Sequence, residues 1–338
     1  MDLTQSIPSY IKSLMPYKAG LSMDELKRQK IKKISKLASN ENPYGPSPIA
    51  LDEMKNALSE IYYYPDMYGL KIKEAIAKLY GLKKENILLG NGSESVLSLI
   101  SRAFLLPGDH VLSSEISFIS TTTVVRATGA NIQLIPLTRD YRFDVEKIKD
   151  NLSKNTKMLY IANPNNPTGT YINKKEWSYL MDYVSSSTLV VMDEAYFEFA
   201  KECEDYPDSL QDDYDNVITM RTFSKAYGLA GIRLGYALAH QKIIEVMDKI
   251  RPAFEANQIA QRGAIAALND REHLQKVIAK NQKQYKRTYE FLNKLNFNSI
   301  SSFLASNFIC FKTASSEAAE WLFSQLLQKG VVVRDLPG

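Results

Sequence analysis

The chain alternates between short apolar runs and longer segments in which apolar residues recur every three or four positions. The apolar runs predict strands, and the periodic segments between them predict helices. The predicted strands lie at 86–89, 109–113, 131–136, 156–162 and 188–193. The predicted helices lie at 48–60, 69–80, 96–106, 119–128, 144–152 and 173–185. This alternation predicts an α/β fold with a doubly wound, mostly parallel sheet.

Composition narrows the classes of function. Apolar residues make up 45% of the 338 positions, which is ample for a sizeable core, and this length suggests two domains. The net charge of +4 is too small and too evenly spread to predict nucleic-acid binding. Two cysteines and three scattered histidines predict neither a disulfide framework nor a histidine-based metal site. The N-terminus lacks a signal pattern and no apolar run approaches about 18 residues, so we predict a cytoplasmic protein without membrane partners.

The segment 222–233, TFSKAYGLAGIR, carries the most specific chemistry in the chain. Lys225 lies between Thr222 and Ser224 on one side and Arg233 on the other. A lysine that forms a Schiff base needs an amine that is neutral part of the time and a partner held by phosphate-binding groups. Hydroxyls and an arginine fork can bind such a phosphate. An ordinary loop with a solvated lysine would also fit this segment alone.

Polar residues follow the predicted strands at the edge where doubly wound sheets bind ligands. Asp193 ends one strand among apolar residues, so it needs a cationic partner such as a protonated pyridine nitrogen, or else it caps the next helix. Tyr196 follows it, and the stiff loop NPNNPTG, 163–169, presents Asn166. The turn GNGSES, 90–95, suits an anion at a helix start, although a simple serine cap explains it equally well. Together with Lys225, these groups are the contacts that pyridoxal phosphate needs.

The chain resembles the fold-type I pyridoxal-phosphate aminotransferases of the class I/II group, and within them the histidinol-phosphate aminotransferases. The motifs that carry the resemblance are LASNENPYGPSP (37–48), YYYPD (62–66), GNGS (90–93), NPNNPTG (163–169), VMDEAY (191–196) and TFSKAYGLAGIRLGY (222–236). The resemblance implies a three-layer large domain at 44–251 and a smaller α+β domain that combines 1–43 with 252–338. The elements expected in the small domain are helices at 253–268, 271–295 and 315–329 and strands at 307–311 and 331–334.

The resemblance implies a role for each matching residue. Lys225 would bond the cofactor's aldehyde and carry the proton, and Asp193 would keep the ring nitrogen protonated. Asn166 and Tyr196 would contact the ring oxygen, and Phe118 the ring face. The groups implied to bind the cofactor phosphate are the backbone of Ser93 and Glu94, then Thr222, Ser224 and Arg233, and Tyr64 of the neighbouring subunit in a homodimer. The residues implied to contact substrate are Tyr17, Asn42 and Arg334.

The activity that the resemblance implies is transamination of L-histidinol phosphate with 2-oxoglutarate, which gives imidazole-acetol phosphate and L-glutamate in histidine biosynthesis. The nearest alternative is an aromatic-amino-acid aminotransferase. A threonine-phosphate decarboxylase and an inactive scaffold of the same fold are more distant alternatives. From the residues alone, a half-buried aromatic in a turn is the better interpretation of Tyr17, and a solvated cation at a strand end is an alternative for Arg334.

Two departures from the family pattern stand out. Glu94-Ser95 replaces the usual Asp-Glu pair after the glycine turn, so the side-chain contacts there are expected to differ. The chain ends at Gly338, before the strand whose arginine binds the substrate α-carboxylate in the family. We therefore expect either a shortened C-terminal end or an altered carboxylate site, because a nearby lysine does not replace a planar bidentate arginine.

Overall fold

The computed structural model describes residues 3–16, 20–28, 33–212, 214–301 and 304–336. Its strands are β1 (Ser35–Lys36), β2 (Ile87–Gly90), β3 (His110–Ser114), β4 (Asn131–Ile135), β5 (Thr156–Ala162), β6 (Leu189–Asp193), β7 (Val217–Thr222), β8 (Gly235–Ala239), β9 (Asn298–Ser299), β10 (Phe311–Lys312) and β11 (Val331–Val332). Its helices are α1 (Ser9–Lys12), α2 (Met23–Arg28), α3 (Pro48–Ala57), α4 (Leu70–Tyr80), α5 (Ser93–Phe104), α6 (Ile119–Arg126), α7 (Val145–Asn151), α8 (Lys174–Met181), α9 (Phe197–Ala200), α10 (Gln241–Asp248), α11 (Gln258–Asn269), α12 (Arg271–Lys294) and α13 (Ser316–Gln328).

One sheet organises the fold. Within the described residues, seven strands form it in the order β2-β8-β7-β6-β5-β3-β4. The pairs from β4 through β7 are parallel, and β8 runs antiparallel to both of its neighbours. Six strands therefore end at the same edge, and β8 begins there. The prediction of a mostly parallel, doubly wound sheet is confirmed.

Helices cover both faces of this sheet, because successive strand residues point to opposite sides. In β5, Met158 and Tyr160 face the layer that contains α5, α6 and α10, whereas Leu159 and Ile161 face α7 and α8. Helices α4 and α11 cover the second face beside β2 and β8. Each large apolar side chain fully buried in these layers contributes about 1.5–3 kcal/mol. The three layers together hold the strand ends in fixed register.

Several predicted boundaries differ from the structure. Helix α5 begins at residue 93 rather than 96, and α11 begins at 258 rather than 253, because the side chain of Asn257 accepts a hydrogen bond from the N–H of Ala260 and caps it. The predicted strand at 307–311 is wrong over most of its length. There the side chain of Asn307 bonds the carbonyl of Asn40 instead, and only β10 forms, paired with β9.

The N-terminal and C-terminal regions of the chain pair through two short strands outside the main sheet. β1 pairs in parallel with β11, with Lys36 opposite Val332. The predicted strand at 331–334 is thus shortened to two residues. The domain boundaries at 43/44 and 251/252 stay a prediction. Among the described helices, none combines the length and apolar character that crossing a bilayer requires.

Candidate active site

The predicted functional segments converge on the edge where β6 and β7 end and β8 begins. The strand register places Thr222 opposite Gly235, Gly235 opposite Gly90, and Asp193 opposite Met220. The glycine turn after β2, the acidic end of β6 and the lysine segment after β7 therefore lie side by side. This is the edge at which doubly wound sheets bind ligands.

Asp193 is a buried carboxylate with a donor on each oxygen. The phenol of Tyr160 donates to Oδ2 at 2.7 Å, and the N–H of Ala195 donates to Oδ1 at 3.1 Å. Burial raises the pKa of Asp193, and the two donors and the charge of Lys225 oppose that rise. The N-cap position of the following helix is Tyr196, not Asp193. The arrangement suits a carboxylate that faces a cation.

Lys225 lies under the loop at 38–47. Its Nζ donates to the carbonyl of Ser39 at 3.3 Å and lies 5.5 Å from the centroid of the Tyr196 ring. The side chain of Asn42 donates to the carbonyl of Ala226 at 2.9 Å, which fixes this loop to the lysine segment. The loop therefore forms one wall of the candidate site. The amide group of Asn42 therefore already donates a hydrogen bond within the chain.

The hydroxyl of Tyr196 is the meeting point of two amide side chains. Asn166 donates to it at 3.3 Å, and Asn40 donates to it at 3.0 Å. Asn40 has a φ of 54°, in the left-handed region that asparagine tolerates better than most residues. Asn165 lies beside Asn166 in the sequence, but its amide is buried and donates to the carbonyl of Ile116. Asn166 and Asn40 thus both contact Tyr196, and the contact of Asn166 and Tyr196 with a ring oxygen stays a prediction.

A tight cradle lies between the glycine turn and Arg233. A Cβ on Gly92 would lie 2.3 Å from Nη2 of Arg233, and a Cβ on Gly235 would lie 2.4 Å from the backbone nitrogen of Ser93. Only glycine fits at either position. The first N–H groups of α5, from Ser93 and Glu94, have no partner within the helix and lie at the positive end of its dipole. A guanidinium and a helix start side by side form a place for an anion.

The hydroxyls of Thr222, Ser224 and Ser95 already take part in hydrogen bonds within the chain. Thr222 donates to Ser224 at 3.0 Å and accepts from its N–H at 3.1 Å, which closes a compact turn before the lysine. Ser95 donates to the carboxylate of Glu255, which also accepts from the N–H of Asn91 at 3.2 Å. Ser95 therefore has a carboxylate partner, and Glu255 ties the turn to the segment before α11.

The structure also gives the positions of three other predicted residues. Phe118 is half-buried at the N-cap of α6. Tyr64 is 80% exposed and stacks on Phe254, with 4.5 Å between the ring centroids. Arg334 follows β11, and its Nη1 would lie 3.3 Å from a Cβ on Gly20. Tyr17 lies outside the described residues, so its role stays a prediction.

A buried ionic group behind the site was not predicted from the sequence. Arg221 is fully buried in β7 and donates to Oε2 of Glu194 through Nε at 2.9 Å and Nη2 at 2.6 Å, and to Asp208 at 2.8 Å. Its guanidinium lies 3.3 Å from the ring centroid of Phe197. The sequence did offer one signal, a single arginine in an apolar strand. A buried charge must be paired, so this residue could have predicted a buried ionic group.

Comparison with known proteins supplies the class. The profile of the family "Aminotransferase class I and II" matches residues 32–337. The chain belongs to this family.

Several similar proteins are named histidinol-phosphate aminotransferase. The histidinol-phosphate aminotransferase 2 of Carboxydothermus hydrogenoformans is 38% identical, over 96% of this chain and 89% of that one. The histidinol-phosphate aminotransferase of Macrococcus caseolyticus is 40% identical, over 97% of this chain and 92% of that one. The crystal structure of histidinol-phosphate aminotransferase from Sinorhizobium meliloti, in complex with pyridoxal-5'-phosphate, superposes with a TM-score of 0.89 at 30% identity and covers 98% of this chain and 89% of that one.

Proposed function

We propose that this protein is a pyridoxal-phosphate-dependent aminotransferase that transfers an amino group from L-histidinol phosphate to 2-oxoglutarate, giving imidazole-acetol phosphate and L-glutamate. The observation that carries the substrate assignment is the similarity of 38–40% over nearly the whole chain to two histidinol-phosphate aminotransferases. The chemistry is supported by a lysine, a buried carboxylate and an anion cradle at one sheet edge. An aromatic-amino-acid aminotransferase is the alternative that the test below separates.

The residues at the sheet edge fit pyridoxal phosphate. The cradle of Gly92, Arg233 and the start of α5 is suited to a phosphate, and a side chain on Gly92 would fill it. The buried carboxylate of Asp193 suits a protonated ring nitrogen, since a buried anion needs a cationic partner. The primary amine of Lys225 lies close enough to Asp193 for its charge to lower the pKa of that carboxyl group. Donor types and positions therefore agree with the cofactor.

Each residue has a distinct task in the proposed reaction. When bound, pyridoxal phosphate supplies an electron-accepting ring that stabilises the charge left on the substrate carbon when its proton leaves. Lys225 moves that proton through Nζ. Asp193 holds a proton on the ring nitrogen. Tyr196 and Asn166 hold the ring oxygen, and Phe118 packs on the ring.

Further residues bind the phosphate groups of cofactor and substrate. We assign the cofactor phosphate to Thr222, Ser224, Arg233 and the N–H groups of Ser93 and Glu94, with Tyr64 added by the neighbouring subunit of a homodimer. We assign the substrate to Tyr17, Asn42 and Arg334.

A cytoplasmic location is supported by Cys203 and Cys310, which are both free thiols in the structure, since disulfides are rare in that compartment.

The test is a coupled assay of glutamate formation from L-histidinol phosphate and 2-oxoglutarate, with L-phenylalanine as the competing amino donor. We expect histidinol phosphate to be the faster donor by at least about tenfold in kcat/KM, a factor that equals about 1.4 kcal/mol of transition-state binding. The variant Lys225→Ala should lose the activity, because the proposed reaction moves the proton through the amine of Lys225. The exposed Lys242→Ala in α10 serves as the matched control and should retain it.

The possible outcomes are distinct. Glutamate formation that is faster with phenylalanine would replace the proposed substrate with the aromatic alternative while leaving the chemistry in place. Activity that survives in Lys225→Ala would contradict the proposed mechanism.

A further inference from the structure

Behind Asp193 lies a tyrosine that the proposed function does not use. Tyr160 is near the end of β5, is fully buried and is surrounded in the strand by apolar residues. Its phenol donates to Oδ2 of Asp193 at 2.7 Å. A hydroxyl at this depth is costly unless it is paired. The strand could have carried an aliphatic residue here, so the phenol needs an explanation beyond filling space.

The sheet register fixes this contact. β5 and β6 run parallel, with Tyr160 opposite Val191 and Ala162 opposite Asp193. Tyr160 and Asp193 thus point to the same face of the sheet from adjacent strands, offset by two residues. The other oxygen of the carboxylate accepts from the backbone of Ala195 at 3.1 Å. Both oxygens therefore have donors, one from β5 and one from the turn after β6, and these two donors fix the plane of the carboxylate.

We propose that Tyr160 is a positioning residue that keeps Asp193 ionised and oriented, so that the proton shared by Asp193 and the ring nitrogen of pyridoxal phosphate stays on the nitrogen. This inference rests on the proposed function. A donor to a carboxylate stabilises its charged form, whereas burial favours the neutral form. Without the phenol, Asp193 would take the proton itself, and the ring would lose its positive charge. An uncharged ring accepts electrons from the substrate carbon less well.

The test compares wild type, Tyr160→Phe and Tyr236→Phe, each reconstituted with pyridoxal phosphate that carries ¹⁵N at the ring nitrogen. Tyr160→Phe keeps the ring and removes only the donor. Tyr236→Phe is the matched control, because it removes an equally buried phenol, bonded to Tyr80 at 3.0 Å, on the opposite face of the same sheet. The readouts are the ¹⁵N chemical shift of the ring nitrogen and the separate values of kcat and KM.

We expect the ring-nitrogen signal of Tyr160→Phe to move from the protonated towards the unprotonated position, with kcat reduced about tenfold to a hundredfold, as for loss of a hydrogen bond to a charged group. KM should stay within about twofold, because a positioning effect on the ring acts on the transition state. The Tyr236→Phe signal should match that of wild type. In an Asp193→Asn background, adding Tyr160→Phe should cause no further loss of kcat.

The outcomes separate this inference from the proposed function. A wild-type protein that takes up no pyridoxal phosphate contradicts the proposed function. A reconstituted Tyr160→Phe enzyme whose ring-nitrogen signal equals that of wild type, or whose losses add to those of Asp193→Asn, contradicts the role of Tyr160 and leaves the proposed function intact.

Discussion

Two adjacent carboxylates in this chain are buried on opposite faces of the sheet. Asp193 faces the lysine, and Glu194 faces Arg221, because consecutive residues at a strand end point to opposite sides. A third carboxylate, Glu198, lies buried in α9 near Arg221, and burial raises its pKa to about 7. The attraction of Arg221 opposes that rise. Glu198 is therefore a buried group whose protonation changes near neutral pH.

Glu198 predicts a dependence of stability on pH. Its folded-state pKa of about 7 lies above the ordinary glutamate pKa of 4.5, so its stabilising contribution is fully present below about pH 4.5 and is lost as pH rises through 7. Relative to Glu198→Gln, wild type should lose about 3 kcal/mol of unfolding free energy over that interval. Urea unfolding at several pH values measures this. The exposed Glu202→Gln should retain the wild-type dependence, and an unchanged dependence in Glu198→Gln would refute the assignment.

Single residues also show what the sequence could and could not predict. The placing of Lys225, Asp193, Asn166 and Tyr196 around one sheet edge follows from motifs at strand ends, and such motifs are local. Tyr160 and Glu255 were missed because their contacts join residues 33 and 160 positions apart. The residues next to Tyr160 and Glu255 in the sequence do not indicate which distant residue each of them contacts. Only the register of the sheet and the packing of the α11 segment bring them to the site.

The turn between β2 and α5 is the element on which anion binding depends most. Gly92 has a φ of 87°, in a region that favours glycine, and its missing side chain leaves room for Arg233. The carboxylate of Glu255 holds the other side of the turn through Ser95. The position of the cradle thus depends both on the backbone conformation of Gly92 and on the contact between Ser95 and Glu255.

Gly92→Ala should weaken the binding of pyridoxal phosphate by about tenfold or more. The left-handed conformation costs alanine about 1–2 kcal/mol, and the added methyl group would also displace Arg233. Fluorescence titration of the apoenzyme with the cofactor measures the dissociation constant. Gly231→Ala is the matched control, since a Cβ there has no heavy atom within 4 Å. Equal dissociation constants for the two variants would contradict the cradle.

The bounds of buried elements were easier to predict from the sequence than those of exposed elements. β5 has the predicted bounds, because an apolar run between turns leaves little choice once both faces are covered. The strand predicted at 307–311 failed, since side-chain contacts from Ser306 and Asn307 to backbone carbonyls occupy that segment. Such side-chain-to-backbone bonds compete with strand pairing. The helix starts were misplaced by three to five residues for a similar reason, because capping depends on the neighbouring turns.

At the scale of the whole molecule, one exposed apolar segment is a candidate for protein association. Large apolar side chains that are 40% or more exposed cluster between residues 49 and 70: Ile49, Leu51, Leu58, Ile61, Tyr62, Tyr63, Tyr64, Tyr68 and Leu70. Contiguous exposed apolar residues mark sites of protein association, and tyrosine is enriched in them. This surface supports the proposed homodimer, in which Tyr64 reaches the site of the neighbouring subunit.

Mixing two defective variants tests the homodimer and the direction of the Tyr64 contact together. Tyr64→Ala and Lys225→Ala should each be impaired alone. After unfolding and refolding together, half of the dimers should be mixed, and each mixed dimer should hold one complete site, so about a quarter of wild-type activity should return. If Tyr64 served its own subunit, no mixed dimer would hold a complete site. An absence of recovered activity would therefore contradict the exchange of Tyr64 between subunits.

The central claim is that Lys225 carries pyridoxal phosphate through a covalent bond to Nζ. Borohydride reduction of the holoenzyme, followed by proteolysis and mass spectrometry of the peptides, tests it most directly. The account predicts one phosphopyridoxyl group per chain, on the peptide that contains Lys225. A label on a different lysine, or a fully active enzyme that yields no labelled peptide, would contradict it.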